Sequence, residues 1–167
     1  MRKVLCFILA AALAATIAGC VREDASQEDS IRFYYLQQAL DYGSAESVIA
    51  AQETAAPTTE SALLPLLEMY LKGPEEETLA SPFPAGTRVL EIRQENDELF
   101  VLLSRDLAQL TGLALTKACA CLALTCFELT DARSITVQAA GAMLDNAPTI
   151  CLTRDSLVLQ DTAAAKK

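Results

Sequence analysis

At 167 residues the chain is long enough for one domain with a sizeable core and cramped for two. It carries 13 basic against 22 acidic residues, a formal charge of -9, and no histidine. A surface of that sign repels phosphate backbones and anionic headgroups, which argues against nucleic acid as a partner and leaves any membrane attachment to something other than charge.

The N-terminus is the first readable element. Arg2 and Lys3 precede an apolar run from Val4 to Ile17, which ends in Ile17-Ala18-Gly19-Cys20 and gives way at once to polar, acidic sequence. A short apolar run with a basic start and small residues at its end reads as a cleavable export signal. The run falls short of the roughly 18 to 20 residues that a spanning helix needs, and no second segment of that kind is expected further along. Ile17-Ala18-Gly19-Cys20 resembles the lipobox of bacterial lipoproteins, and that resemblance implies cleavage before Cys20 and diacylation of its sulfur. An ordinary secretory signal, or an uncleaved membrane helix, would leave Cys20 incidental. With residues 1–19 removed as a lipoprotein signal, 148 of the 167 residues remain, and because Arg2 and Lys3 leave with them the balance becomes 11 basic against 22 acidic, a charge of -11. Each buried acyl methylene contributes about 0.8 kcal/mol, so two chains would hold the protein stably on a bilayer without its crossing it.

Residues 20–30 are polar and charged and predict a lipidated tether, able to lift a domain about 30 Å from the bilayer when fully extended. A folded domain is expected over 31–160 and a disordered tail over 161–167. Arg32-Phe33-Tyr34-Tyr35-Leu36 reads as the first strand and Ser47-Val48-Ile49-Ala50-Ala51 as a weaker second, broken by the stretch from Thr54 to Pro57. From Ala62 to Leu71 the apolar positions recur at helical spacing, with Thr59 or Ser61 available as a cap and Pro65 tolerable in the first turn. Lys72-Gly73-Pro74 supplies the stop. Glu75-Glu76-Glu77 reads as a solvated loop, since three adjacent carboxylates do not converge on one cation unaided.

After the turn-rich Ser81 to Thr87, the runs Val89 to Ile92 and Leu99 to Leu103 predict a hairpin joined by the polar Gln94 to Glu98. A loop or short turn is expected from Leu107, then a long apolar helix from Leu113 to Leu129 packed between layers. Ser134 to Gln138 returns to strand, and Thr149 to Leu152 and Leu157 to Leu159 read as two short terminal strands separated by Arg154-Asp155-Ser156.

Of six cysteines, Cys6 leaves with the signal and Cys20 is the proposed anchor, so Cys119, Cys121, Cys126 and Cys151 need a structural account. Residues 119 and 121 point about 200° apart on a helix and cannot pair without breaking it. Buried free thiols, a disulfide between Cys151 and one helix cysteine, and a metal site stay open as readings. The metal reading must contend with a Cys-x-Cys-x4-Cys spacing that is unusual for zinc and with Ala and Leu neighbours.

The order strand, helix, hairpin, helix, strand predicts an α+β fold, a single small domain with a mixed sheet and two main helices, and order alone names no function. The punctuation says more. Leu71-Lys72-Gly73-Pro74, then Leu79, then Phe83-Pro84-Ala85-Gly86-Thr87 with Val89-Leu90, then Leu99 to Leu103 ending at Ser104, resembles the GerMN domain of sporulation and spore-germination lipoproteins. Leu115 to Leu129 is similar to that family's apolar helix and Ile135-Thr136-Val137 to the strand after it. Thr125-Cys126-Phe127 stands where the family carries a Thr-Leu pair, Gly141 matches a terminal glycine loosely, and 144–159 lies beyond the resemblance as a strand pair added to the sheet.

The matched residues Gly73, Pro74, Pro84, Gly86, Thr87 and Ser104 read as structural: glycines for tight turns, prolines fixing the chain, Ser104 bonding local backbone. Ser104 has no histidine to activate it. The resemblance implies a lipid-anchored module on the outer face of the cell membrane, with no catalytic residue, cofactor or metal, serving sporulation, germination or envelope assembly. Its expected partners are the membrane through lipid on Cys20, and envelope proteins or peptidoglycan, with strand addition at a sheet edge as the expected mode for a protein partner. Two rivals belong to other classes: a cell-wall glycan hydrolase pairing carboxylates among Asp97, Glu98 and Asp106, and a small-ligand-binding lipoprotein with one internal pocket.

Overall fold

The computed structural model describes residues 30–38, 47–56, 62–141 and 149–157. The expected signal, Cys20, the tether through residue 29, the capping candidates Thr59 and Ser61, and the tail lie outside the described residues, while Ser30, expected in the tether, opens the first strand. Among the described residues seven strands and two helices run in the order β1 (Ser30–Gln37), β2 (Ile49–Ala55), α1 (Leu63–Leu71), β3 (Leu79–Ala80), β4 (Val89–Glu95), β5 (Glu98–Leu103), α2 (Gly112–Leu129), β6 (Ser134–Ala139) and β7 (Thr149–Thr153), with 3-10 turns at Arg105–Gln109 and Arg154–Ser156. The expected α+β plan with two helices holds, and the strands divide between two sheets, β2-β1-β3 and β4-β5-β6-β7. Among the described strands only β5 and β6 pair in parallel, and α2 makes the crossover between them.

The aromatic first strand forms because alternate residues serve two surfaces. Phe33 and Tyr35 share a face, and both rings lie against Tyr70 of α1, with centroids 5.5 and 5.1 Å away; Phe83 meets Tyr70 edge-on at 5.8 Å. These rings close the core between α1 and the first sheet. β3 pairs only with Leu36 and Gln37. Further along that edge, helix side chains take over: Thr125 Oγ1 of α2 accepts the Tyr34 N–H at 3.0 Å and the Tyr70 hydroxyl donates to the Tyr34 carbonyl at 2.9 Å. Thr125 is fully buried, so this polar link ties β1 to the central helix inside the core.

α2 packs on β1 and reaches β6 and β7, which is why Ala118 to Ala123 and Thr125 to Phe127 are buried on almost every side. By length and composition it is apolar enough to cross a membrane, where no such segment is expected after the short N-terminal run, and its packing on β1, β6 and β7 accounts for that apolarity.

Several boundaries move. β2 continues through Gln52, Glu53 and Thr54 to Ala55, because each residue there has a ladder partner on β1 and pairing outweighs the low strand preference of Glu53 and Ala55. The second hairpin is tighter than the polar stretch suggests: Glu95 already pairs with Glu98, leaving Asn96 at φ 54° and Asp97 as a two-residue turn. Residue 62, the cap of α1, is alanine and makes no capping bond, while Pro65 does fall in the first turn. α2 begins at Gly112, one residue early. The end of the chain supplies one strand: β7 pairs with β6, but Leu157 follows a 3-10 turn and is not strand. Val158 and Leu159 lie outside the described residues.

Candidate functional site

Of the six motif residues, Gly86 and Thr87 line one cleft, and Gly73, Pro74, Pro84 and Ser104 fix the backbone of the segments beside it. Gly73 ends α1 at φ 99°, its N–H donating to the Tyr70 carbonyl at 3.1 Å, and Pro74 follows. A Cβ at residue 73 would come no nearer than 3.8 Å to a neighbouring atom, so the backbone angle and not crowding explains the glycine. Across from this helix end, the Pro84 carbonyl accepts both the Thr87 hydroxyl at 2.8 Å and the Thr87 N–H at 3.2 Å, closing a turn in which Gly86 sits at φ 87°. Ser104, buried, then clamps the next residue twice: its Oγ accepts the Arg88 N–H at 3.1 Å and its own N–H donates to the Arg88 carbonyl at 2.8 Å. The Ser104 hydroxyl proton goes to Asp106 Oδ2 at 2.8 Å. Ser104 is therefore a backbone clamp at the start of β4, occupied on both sides.

Between the two segments lies a cleft of about 520 Å³, lined by Glu68, Leu71 and Lys72 on one wall and by residues 85–88 on the other. Glu68, Lys72 and Arg88 are exposed at its rim. Their charges are the chemistry the motif frames. The sequence marks Lys72 only as part of the helix stop and does not mark Glu68 or Arg88; the one available signal is the helical i, i+4 spacing of Glu68 and Lys72 just before that stop.

The rival pairing of carboxylates does not assemble. Asp106 lies beyond the far end of β5 from Asp97 and Glu98, about 20 Å away at strand rise, whereas glycan cleavage needs two carboxyls within about 10 Å. Asp97 meets Arg133 at 3.4 Å, and Glu98 accepts the Thr136 hydroxyl at 2.9 Å on the outer face of the second sheet. The neighbouring pair thus diverges. Gln52, buried in β2, accepts the Glu75 and Glu76 N–H groups at 2.9 and 3.3 Å, so the acidic run is held by its backbone and its carboxylates stay in solvent.

Among the described residues no group of three or more His, Cys, Asp or Glu is placed to hold a metal. Cys119, Cys121 and Cys126 are buried free thiols, while Cys151, also free, is exposed on β7 opposite Thr136 and departs from the buried reading. Burial pushes the Cys119 thiol up to about 11 and those of Cys121 and Cys126 up to about 12, leaving them poor nucleophiles. Burial likewise raises the Tyr35 and Tyr70 hydroxyls well above the usual phenol value, in keeping with their role as neutral donors.

A second surface lies on the outer face of the four-stranded sheet, where a groove of about 60 Å³ forms beside Phe100 and Leu102. The Arg93 guanidinium lies 5.3 Å from the Phe100 ring centroid and meets Glu91 at 2.9 Å and Glu95 at 3.5 Å, so its charge is already engaged.

The family model described as "Germane: Sporulation and spore germination" matches residues 32–145. Among solved structures, the first GerMN domain of the sporulation protein GerM from Bacillus subtilis is similar with a TM-score of 0.58 and 18% identity, over 75% of this chain and 98% of that one. The tandem GerMN domains of the same protein match with a TM-score of 0.51 and 16% identity, over 68% of this chain and 39% of that one. At such identities the likeness is one of fold. No curated protein matches the chain. The family match takes in the cleft and both helices and stops short of β7.

Proposed function

We propose, from the premise that this chain belongs to the Germane family of sporulation and spore germination, that it is a lipid-anchored extracytoplasmic module that binds or assembles envelope components without catalysing a reaction. The family match over residues 32–145 is the observation that carries the sporulation or germination setting. Cys20, after the apolar N-terminal run, is the lipidation site in this reading, and the ten polar residues behind it confine the domain within about 30 Å of the bilayer. Confinement raises the effective concentration of the domain for partners on the same surface, so modest contacts suffice. Envelope proteins or peptidoglycan are the partners this predicts. The non-catalytic part is supported by the scattered carboxylates and by Ser104, whose hydroxyl is committed to Asp106.

Membrane fractionation of native protein and a Cys20→Ala form, followed by crosslinking in intact cells and mass spectrometry, tests the reading. Native protein should sediment with membranes and crosslink to envelope or sporulation components, and the Cys20→Ala form should lose both. Identical fractionation of the two forms would remove the lipid anchor from the proposal. Release of soluble fragments from purified cell wall would replace the binding module by a hydrolase.

A further inference from the structure

We propose that the cleft between α1 and the turn at 84–87 binds a small zwitterion, such as an amino acid or short peptide with free ends, with Lys72 and Arg88 holding its carboxylate and Glu68 its ammonium. A volume of about 520 Å³ lies within the range of small-ligand sites, roughly 300 to 1,000 Å³. The three charges around it are unspent. Elsewhere on the described surface three arginines take acidic partners, Arg32 with Glu128, Arg93 with Glu91 and Glu95, and Arg133 with Asp97, and Arg154 takes backbone carbonyls. Glu68 and Lys72 stand four residues apart with the glutamate first, the spacing at which a helix ordinarily closes such a pair. Among the described residues neither they nor Arg88 form an ion pair.

The rim is also fixed. Ser104 grips the backbone of Arg88 at both its N–H and its carbonyl, and the Lys72 N–H is bonded into the last turn of α1 through the Met69 carbonyl at 3.1 Å. Side chains rooted on a clamped backbone lose less freedom when a ligand arrives. Two cations lining one cavity in a chain of charge -9 favour an anionic group there, and Glu68, which lines the same cavity, disfavours a multiply charged anion such as phosphate. A ligand that brings its own cation beside one carboxylate satisfies all three side chains at once. Leu71 and Ala85 add apolar surface for a small aliphatic side chain.

The inference does not depend on the tether or on a sporulation role, and its test can fail while those stand. Full-length chain in detergent micelles is titrated by calorimetry with alanyl-alanine, with its N-acetyl form, and with inorganic phosphate. One saturable site for the free dipeptide is expected. Arg88→Gln and Lys72→Gln should each weaken it about tenfold, as loss of a charge-assisted bond does. Glu68→Gln should weaken the free dipeptide and leave the N-acetyl form unchanged. Because none of the three side chains has a charged partner to lose, all variants should melt with the native protein, which separates a binding defect from misfolding. No saturable binding at millimolar dipeptide would overturn the proposal, and so would N-acetyl dipeptide or phosphate binding as tightly as the free dipeptide. Given binding, sedimentation with insoluble peptidoglycan that the dipeptide reverses identifies wall-bound groups carrying both an ammonium and a carboxylate as the source of the ligand. Absence of sedimentation identifies a soluble one.

Discussion

Arg154 joins the last strand to the central helix, and removing it should loosen both. Its Nε donates to the Ala132 carbonyl at 2.8 Å, one terminal nitrogen donates to the carbonyls of Phe127 and Thr130 at 2.6 and 2.7 Å, and the guanidinium lies 4.9 Å from the Phe127 ring centroid. The final carbonyls of a helix have no partner within it, and a cation there also meets the negative end of the dipole. A buried bond to a charged donor contributes about 1.5 to 3 kcal/mol; because Arg154 is exposed, about 0.5 kcal/mol for each of its three bonds is the better figure. The ring contact adds about 0.5 kcal/mol and the helix end about 0.5 kcal/mol. Arg154→Ala should therefore cost about 2 to 3 kcal/mol in urea unfolding at an unchanged slope, or about 8 to 12 °C in melting temperature for a domain of this size. Arg154→Lys keeps the charge and loses the planar fork, so it should recover about 1 kcal/mol. An alanine variant within 0.5 kcal/mol of native, outside the error of replicate titrations, would refute the clamp.

Other perturbations probe the core and the turns. Thr125→Val keeps the shape of a fully buried side chain and deletes its bond to the Tyr34 N–H, so it should cost about 1 to 3 kcal/mol by denaturant titration. Gly86→Ala should cost about 1 to 2 kcal/mol and Gly86→Asn less, since open space surrounds the site and only its φ of 87° resists a side chain. In native protein a thiol reagent should label Cys151 rapidly and Cys119, Cys121 and Cys126 only on unfolding; a Cys151→Ala form that keeps the fast phase among these four would contradict the assigned burial. The three buried thiols keep their protons in the folded state at pH values where an unfolded chain gives them up. Stability is therefore full below about pH 9 and falls as pH rises towards 12, by at most about 4 kcal/mol per pH unit for the three together. Cys126→Ala should flatten that slope by about a third, measured as unfolding free energy at successive pH values.

The legible parts of the fold are those in which a local pattern and a tertiary need coincide. Phe33 and Tyr35 alternate with Tyr34 in the sequence because one face of β1 meets Tyr70, and the apolar length of α2 follows from its place between two sheets. Legibility failed where pairing or reach decided the outcome. Gln52 and Glu53 break the apolar pattern of a strand, yet Phe33, Arg32 and Ile31 pair with Gln52, Glu53 and Thr54 in turn, and Gln52 is buried because its amide oxygen is spent on Glu75 and Glu76. Leu157 looked like strand and is not, since Arg154-Asp155-Ser156 coils into a 3-10 turn that aims the guanidinium at carbonyls 22 to 27 positions earlier. Nothing local in a sequence encodes such a reach.

The cleft shows the same division at finer grain. Gly73, Pro74, Pro84, Gly86, Thr87 and Ser104 were legible because each answers a local backbone demand, a positive φ, a fixed φ or a turn hydrogen bond, and every one of them is spent on that demand. The residues free to meet a ligand are their neighbours. Lys72 precedes Gly73, Ala85 lies between Pro84 and Gly86, and Arg88 follows Thr87 with its backbone held by Ser104. A scaffold of this kind fixes where side chains project without fixing which ones they are, so two chains can share the motif and the fold and still present different charges at the same rim. What this chain binds is therefore to be sought in Glu68, Lys72 and Arg88, the charges the motif positions, before it is sought in the motif itself.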